Sequence, residues 1–257
     1  MVITADCQFQ TFADAIKHLP VFEPLTKEIL LTSQFLIQKE GALEMYYAPH
    51  NELINERAKV AIVGITPGWT QMEIAYREAR QGIHENKPTE QILTDAKQAA
   101  GFAGSMRNYL VEMLDECGLA EGLQITSCKS LFNKRRDLLH TTSVIKHPVF
   151  YKGKNYTGHT PKIVKSPLLS DYAFHVFRCE LEQINGALIV PLGKSVSTVL
   201  MALIEQGHVD RNHCLFGLPH PSGVNGHRRR QFAEEKESLR LQVINYFGRA
   251  FSHKKGG

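Results

Sequence analysis

Two turns concentrate the residues that could do chemistry. The first, Gly64-Ile65-Thr66-Pro67-Gly68, ends a short apolar run at residues 59–65 (KVAIVGI). The second, His220-Pro221-Ser222-Gly223-Val224, follows residues 214–218. Glycine and proline in such turns let the backbone approach a ligand closely, and an imidazole and two hydroxyls stand among them. A histidine before a proline, taken alone, is explained as well by a capped loop. Phe102, taken alone, is core filling. Trp69, the single tryptophan, directly follows the first turn and either lines a pocket or packs. Gly193-Lys194-Ser195 resembles a phosphate loop only superficially. That pattern needs a glycine five residues before its second glycine, where Leu188 stands, so the segment reads as a strand-to-helix turn.

These turns need elements to position them. Apolar residues at helical spacing predict helices over residues 11–19, 25–39, 70–80, 89–99, 105–117, 172–184, 195–205 and 227–246. Short apolar runs at 59–65, 187–192 and 214–218 predict buried strands, and residues 123–128 read as a further strand. Residues 133–165 are basic, polar and rich in turn formers, so loops and a hairpin are expected there. Strands alternating with helices argue for an α/β fold with a parallel sheet covered on both faces. Ligands bind such sheets at the carboxyl ends of the strands, where both turns fall. No internal repeat or low-complexity linker interrupts the chain. One domain spanning 1–257 is expected, with an N-terminal helical extension over 1–55 and a mobile tail over 252–257.

The ordered set of motifs resembles the uracil-DNA glycosylase superfamily over about residues 59–247. That family has an early Gly-x-(Asp/Asn/Ala)-Pro-(Gly/Tyr) motif and a late His-Pro-Ser-(Pro/Gly)-Leu motif. Gly101-Phe102-Ala103-Gly104 is similar to the segment whose phenylalanine stacks on the flipped base. Ile125-Thr126-Ser127-Cys128-Lys129 is similar to the strand carrying a base-reading asparagine, and Val190-Pro191-Leu192-Gly193-Lys194 to the third strand and turn. The resemblance implies a three-layer α/β/α sandwich around a four-stranded parallel sheet. It implies hydrolysis of the N-glycosidic bond of a base flipped out of DNA. His220 then stabilises the anion developing on the base. Thr66 stands where the family positions water, and Phe102, Ser127, Ile65 and Trp69 line the base site. Gly64, Pro67, Gly68, Pro221, Ser222 and Gly223 approach phosphates, Val224 takes the place of the leucine wedge, and Arg228, Arg229 and Arg230 grip the backbone. No lysine is placed as a nucleophile, so simple hydrolysis without strand cleavage is expected.

Two positions depart from the family. Thr66 replaces the usual Asp or Asn, and a threonine hydroxyl is a poor base at neutral pH. Ser127 replaces the asparagine, whose amide offers both a donor and an acceptor. With the long segments between Trp69 and Phe102 and over 129–165, this points to a modified base, such as a bulky pyrimidine of bacteriophage DNA, and to a defence role. The alternatives are a non-catalytic DNA-binding relative, a conventional repair enzyme for uracil or other deaminated bases, and an unrelated α/β enzyme acting on nucleotides or phosphorylated molecules. Asp171, Glu73 and Asp137 are candidate carboxylates.

Composition narrows the classes further. The chain has 257 residues with 43% hydrophobic and 22% charged, which is globular and not disordered. Thirty Lys/Arg against 26 Asp/Glu give a net charge of +4, mildly basic. Nine of those cations, with only Asp137 opposing them, lie between Lys129 and Lys165, and Arg228, Arg229 and Arg230 form a second run. Such patches attract polyanions or are merely solvated. Five cysteines at irregular spacing read as reduced thiols of a cytoplasmic protein. With no metal-ligand spacing among the 12 histidines, no cofactor and no metal are expected. DNA is the expected partner, a membrane is not, and a monomer is expected.

Overall fold

The structure is a computed structural model that describes residues 1–21, 25–184, 186–223 and 225–253, with only the helical backbone described over 249–253. Val224 and the end of the tail, 254–257, lie outside the described residues. The elements begin with β1 (Val2–Ile3), α1 (Phe9–Lys17), α2 (Lys27–Leu30), β2 (Leu36–Glu40), β3 (Leu43–Tyr46), β4 (Leu53–Ile54) and β5 (Val60–Gly64). Next come α3 (Trp69–His84), α4 (Thr89–Ala100), α5 (Ser105–Glu116), α6 (Leu119–Gly122), β6 (Leu139–Ser143), β7 (Val149–Tyr151) and β8 (Lys154–Asn155). The chain ends with α7 (Pro167–Asp171), α8 (Phe177–Gln183), β9 (Leu188–Pro191), α9 (Lys194–Glu205) and α10 (Arg228–His253).

The fold is mixed α/β and packs as two compact units, each drawn from three chain segments. The first unit comprises Met1–Ile54, Ile65–Ala103 and Thr142–Glu180. Its antiparallel sheet runs in the order β2-β3-β7-β8. Phe9, Ile16, Phe35, Tyr47, Met72, Tyr76 and Phe150 share one core. Each such side chain, removed from water, contributes about 1.5–3 kcal/mol. Phe12 stacks on Tyr47 at 4.2 Å, and the Tyr76 hydroxyl donates to the Tyr47 carbonyl at 2.8 Å, so the buried phenol keeps a partner.

The second unit comprises Asn55–Gly64, Gly104–Thr141 and Leu181–Gly257. The three-stranded sheet β6-β5-β9 has β5 and β9 paired in parallel, Val60 opposite Leu188 through Val63 opposite Pro191. Every residue of β5, β6 and β9 is buried, as expected of strands covered on both faces.

Several expectations need correction. The strand expected at 123–128 is absent: Gln124 has φ +57, which breaks an extended run, and Cys128–Phe132 form a 3-10 turn. The strand beside β5 is instead β6, inside the basic stretch expected to be loops. Its run Leu-His-Thr-Thr-Ser hides a buried strand behind polar residues. The strand expected at 214–218 is reduced to a single parallel bridge, Ile189 to Cys214. Among the described residues the expected four-stranded parallel sheet is therefore not formed. The N-terminal extension is not purely helical, because residues 25–39 divide into the short α2 and the start of β2, a sheet strand. The expected hairpin is present as β7 and β8.

Candidate functional site

The second turn is built in the second unit, at the carboxyl end of its sheet. Leu192, just past β9, donates its N–H to the Val63 carbonyl at 2.9 Å. Gly193 donates to the Leu218 carbonyl at 3.1 Å and has φ +85. A Cβ added there would lie 3.2 Å from the His220 Cβ, so only glycine lets the histidine sit against this turn. The Ser222 backbone N–H donates to His220 Nδ1 at 3.2 Å. Nδ1 is thereby the acceptor, and the proton of the neutral ring sits on Nε2. Burial lowers the His220 pKa and favours that neutral form. Asn225, which sequence reasoning missed, donates to the His220 carbonyl at 3.2 Å and to Gln231 Oε1 at 3.0 Å. It ties the turn to α10.

The first turn is built in the first unit from Ile65 onward, Gly64 being the last residue of β5. Ile65 is buried, and its carbonyl accepts from the Ile145 N–H at 2.9 Å. The Thr66 hydroxyl donates to the His147 carbonyl at 2.8 Å and accepts from the Val149 N–H at 3.1 Å. Its one proton is therefore committed to backbone. Pro67 is buried. Gly68 opens α3 and donates its N–H to Gln71 Oε1 at 3.1 Å. Trp69 is partly buried against the core, and its N–H donates to Asn155 Oδ1 at 3.1 Å. Phe102 is buried with φ +50, a conformation in which a bulky residue is strained.

The other expected residues fall in the second unit. The Ser127 hydroxyl donates to Asp115 Oδ2 at 2.7 Å and accepts from the Lys129 N–H at 3.1 Å. It caps the 3-10 turn and does not lie on the strand expected at 123–128. Arg228 lies 3.7 Å from the Tyr109 ring centroid and donates to the Asn225 carbonyl at 3.3 Å. It is a structural clamp of the second turn more than a free cation. Arg229 and Arg230 are exposed, Arg230 lying 3.7 Å from Glu234. Tyr109, Arg228, Arg229 and Phe232 line an open groove of about 410 Å³ between α5 and α10. Pro221 is buried, and Gly223 is exposed with open space where a side chain would go.

Sequence reasoning also missed a buried polar cluster in the first unit. Lys146 Nζ donates to Asp6 at 2.7 Å and to Thr4 at 3.0 Å, and lies 2.9 Å from Glu52. His50 and His147 are buried nearby, and among the described residues none of their ring nitrogens has a hydrogen-bond partner. No motif spacing flags these residues, because they converge from distant segments. Among the described residues no group of three His, Cys, Asp or Glu is placed to hold a metal.

No family model matches the chain. It is 48% identical over 247 residues to the uncharacterized protein YoxB of Bacillus subtilis (strain 168), an alignment spanning 96% of this chain and 95% of the relative. The chain belongs to the YoxB family. At that coverage, residues of both compact units are shared with YoxB. No described helix is long and apolar enough to cross a membrane.

Proposed function

We propose that the chain is a monofunctional DNA N-glycosylase that releases a modified base. The observation that carries this reading is His220, held as a neutral Nε2–H donor at the carboxyl end of a parallel sheet. As the N-glycosidic bond breaks, its electron pair leaves with the base. The His220 Nε2–H donates to the base carbonyl that takes up this charge, and water adds to the sugar cation and loses its proton to solvent. An imidazolium would be held by burial at a cost, so the ring acts by hydrogen bonding.

The order of the two turns along the chain supports the reading, as does the parallel pairing of β5 with β9 beneath the second turn. The Ser127 hydroxyl, which stands where the resemblance puts a base-reading amide, is engaged by Asp115. A hydroxyl in place of an amide favours a modified pyrimidine, such as a bulky base of bacteriophage DNA, over plain uracil, and a defence role over repair. A second reading, a DNA-binding relative without catalysis, is favoured by the committed Thr66 hydroxyl.

The test incubates the protein with genomic DNAs of differing base modification and identifies free base by mass spectrometry. His220→Ala is expected to slow release by roughly 100- to 1000-fold while retaining DNA binding. Release unchanged in that variant overturns the role of His220. DNA binding with no base released from any DNA leaves the second reading.

A further inference from the structure

The tip of the β7–β8 hairpin carries exposed groups that no step above uses. Its two turn residues, Lys152 and Gly153, have φ +50 and +72. Two positive values describe a type I′ turn, whose first position suits asparagine or glycine. A lysine is held there against its backbone preference. Lys152 and Lys154 are exposed and, among the described residues, neither joins a carboxylate, whereas Lys146 and Arg135 of the same basic stretch are ion-paired. Lys152 Nζ lies 5.5 Å from the Tyr151 ring centroid.

This tip is joined to the first turn. Asn155 Oδ1 accepts the Trp69 N–H, and its Nδ2 lies 3.4 Å from where a Cβ on Gly68 would stand. Lys27 donates to the Gly153 carbonyl at 3.3 Å and lies 6.0 Å from the Trp69 ring centroid. Cations, an exposed amide and partly exposed rings thus alternate along one edge of the first unit.

We infer that this hairpin is a nucleic-acid contact, with Lys152 and Lys154 on phosphates and the Tyr151 and Trp69 rings facing unstacked bases. The inference rests on the DNA reading of the first turn. Alternating charge and ring match a strand in which phosphate and base alternate. An anionic membrane surface would be met by the lysines alone and offers no bases for the rings to face.

The experiment measures binding of the full chain to a single-stranded oligonucleotide, a duplex and anionic vesicles across a salt series. Lys152→Asn suits the turn and keeps the fold. Lys152→Asn combined with Lys154→Gln removes both cations. Each phosphate contact contributes roughly 0.7 (single strand) to 0.9 (duplex) to the slope of log K against log salt, so the double variant is expected to lower it by about 1.4–1.8. Trp69 is the single tryptophan, and its emission is expected to be quenched when DNA binds. An unchanged slope in the folded double variant overturns the inference. So does Trp69 emission indifferent to saturating DNA, or binding to vesicles but not to DNA. A lowered slope with no base released from any DNA supports the hairpin and removes the glycosylase reading.

Discussion

His50 and His147 show how strongly burial sets the behaviour of single residues. Burial, with Lys97 nearby, pushes the His50 pKa down to about 3. Burial and Lys146 push His147 well below its usual value, while Asp6 pulls weakly the other way. Both rings are neutral in the native protein, but in the unfolded chain each takes a proton near pH 6.5. As pH falls below about 6.5 the unfolded state binds more protons and stability drops. The loss is at most about 1.4 kcal/mol per pH unit per histidine and continues down to the folded pKa; above pH 6.5 there is no such slope. His50→Gln is therefore expected to reduce the pH dependence of unfolding free energy between about pH 6 and 4 by up to about 1.4 kcal/mol per unit. Urea unfolding at several pH values measures it, and an unaltered slope would mean that His50 is already protonated in the native state. None of this was legible from the sequence, where twelve histidines look alike. The placement of His220 in a turn was legible because its neighbours Pro221 and Ser222 mark one.

At the scale of elements, one connection carries much of the first turn. The segment between β6 and β7 holds Lys146, whose carbonyl accepts from Asn51 Nδ2 at 2.9 Å, and His147, whose carbonyl accepts from Thr66; Val149, the other backbone partner of Thr66, opens β7. Burial alone would lower the Lys146 pKa, but Glu52 and Asp6 outweigh it and hold the ammonium charged. Lys146→Met leaves Glu52, fully buried, without its cation. The expected loss is about 3–5 kcal/mol, on the order of 6–20 °C in Tm for a chain of this size. Lys146→Met with Glu52→Leu should recover most of that loss, because a matched apolar pair carries no stranded charge. Thermal melts of the single and double variants decide it; a double variant no better than the single removes the pair's assigned role. The helices α3, α4, α5 and α9 were legible within a few residues because each presents one apolar face at a regular spacing. Strand β6 was not, since its His-Thr-Thr-Ser run is polar in type and buried only through tertiary packing. Residues 123–128 misled for the opposite reason: Leu123 and Ile125 alternate with polar residues as in a half-buried strand, but a left-handed Gln124 follows α6 there.

At the scale of the whole molecule, the order of elements along the chain differs from their grouping in space. Strand β5 belongs to the second unit, while α3, only a few residues later, belongs to the first. The sequence contains no linker to mark these crossings, so the division into units was not legible in it. The crossings have a thermodynamic consequence. A fragment of residues 1–103 holds β2 and β3 but lacks β7, against which β3 pairs from Leu43–Tyr151 to Met45–Val149. It also lacks Lys146, leaving Glu52 without a cation, and Phe150, a member of the shared core. An exposed sheet edge together with a stranded carboxylate should outweigh what α1, α3 and α4 can bury among themselves. Residues 1–103 expressed alone are therefore expected to show no cooperative thermal transition by circular dichroism, in contrast to the full chain. The same fragment mixed with residues 104–257 should regain one if the two pieces refold together, because that mixture restores β7, Lys146 and Phe150. A sharp transition in the isolated fragment would show that the N-terminal segments stabilise themselves and that the later strands only decorate them.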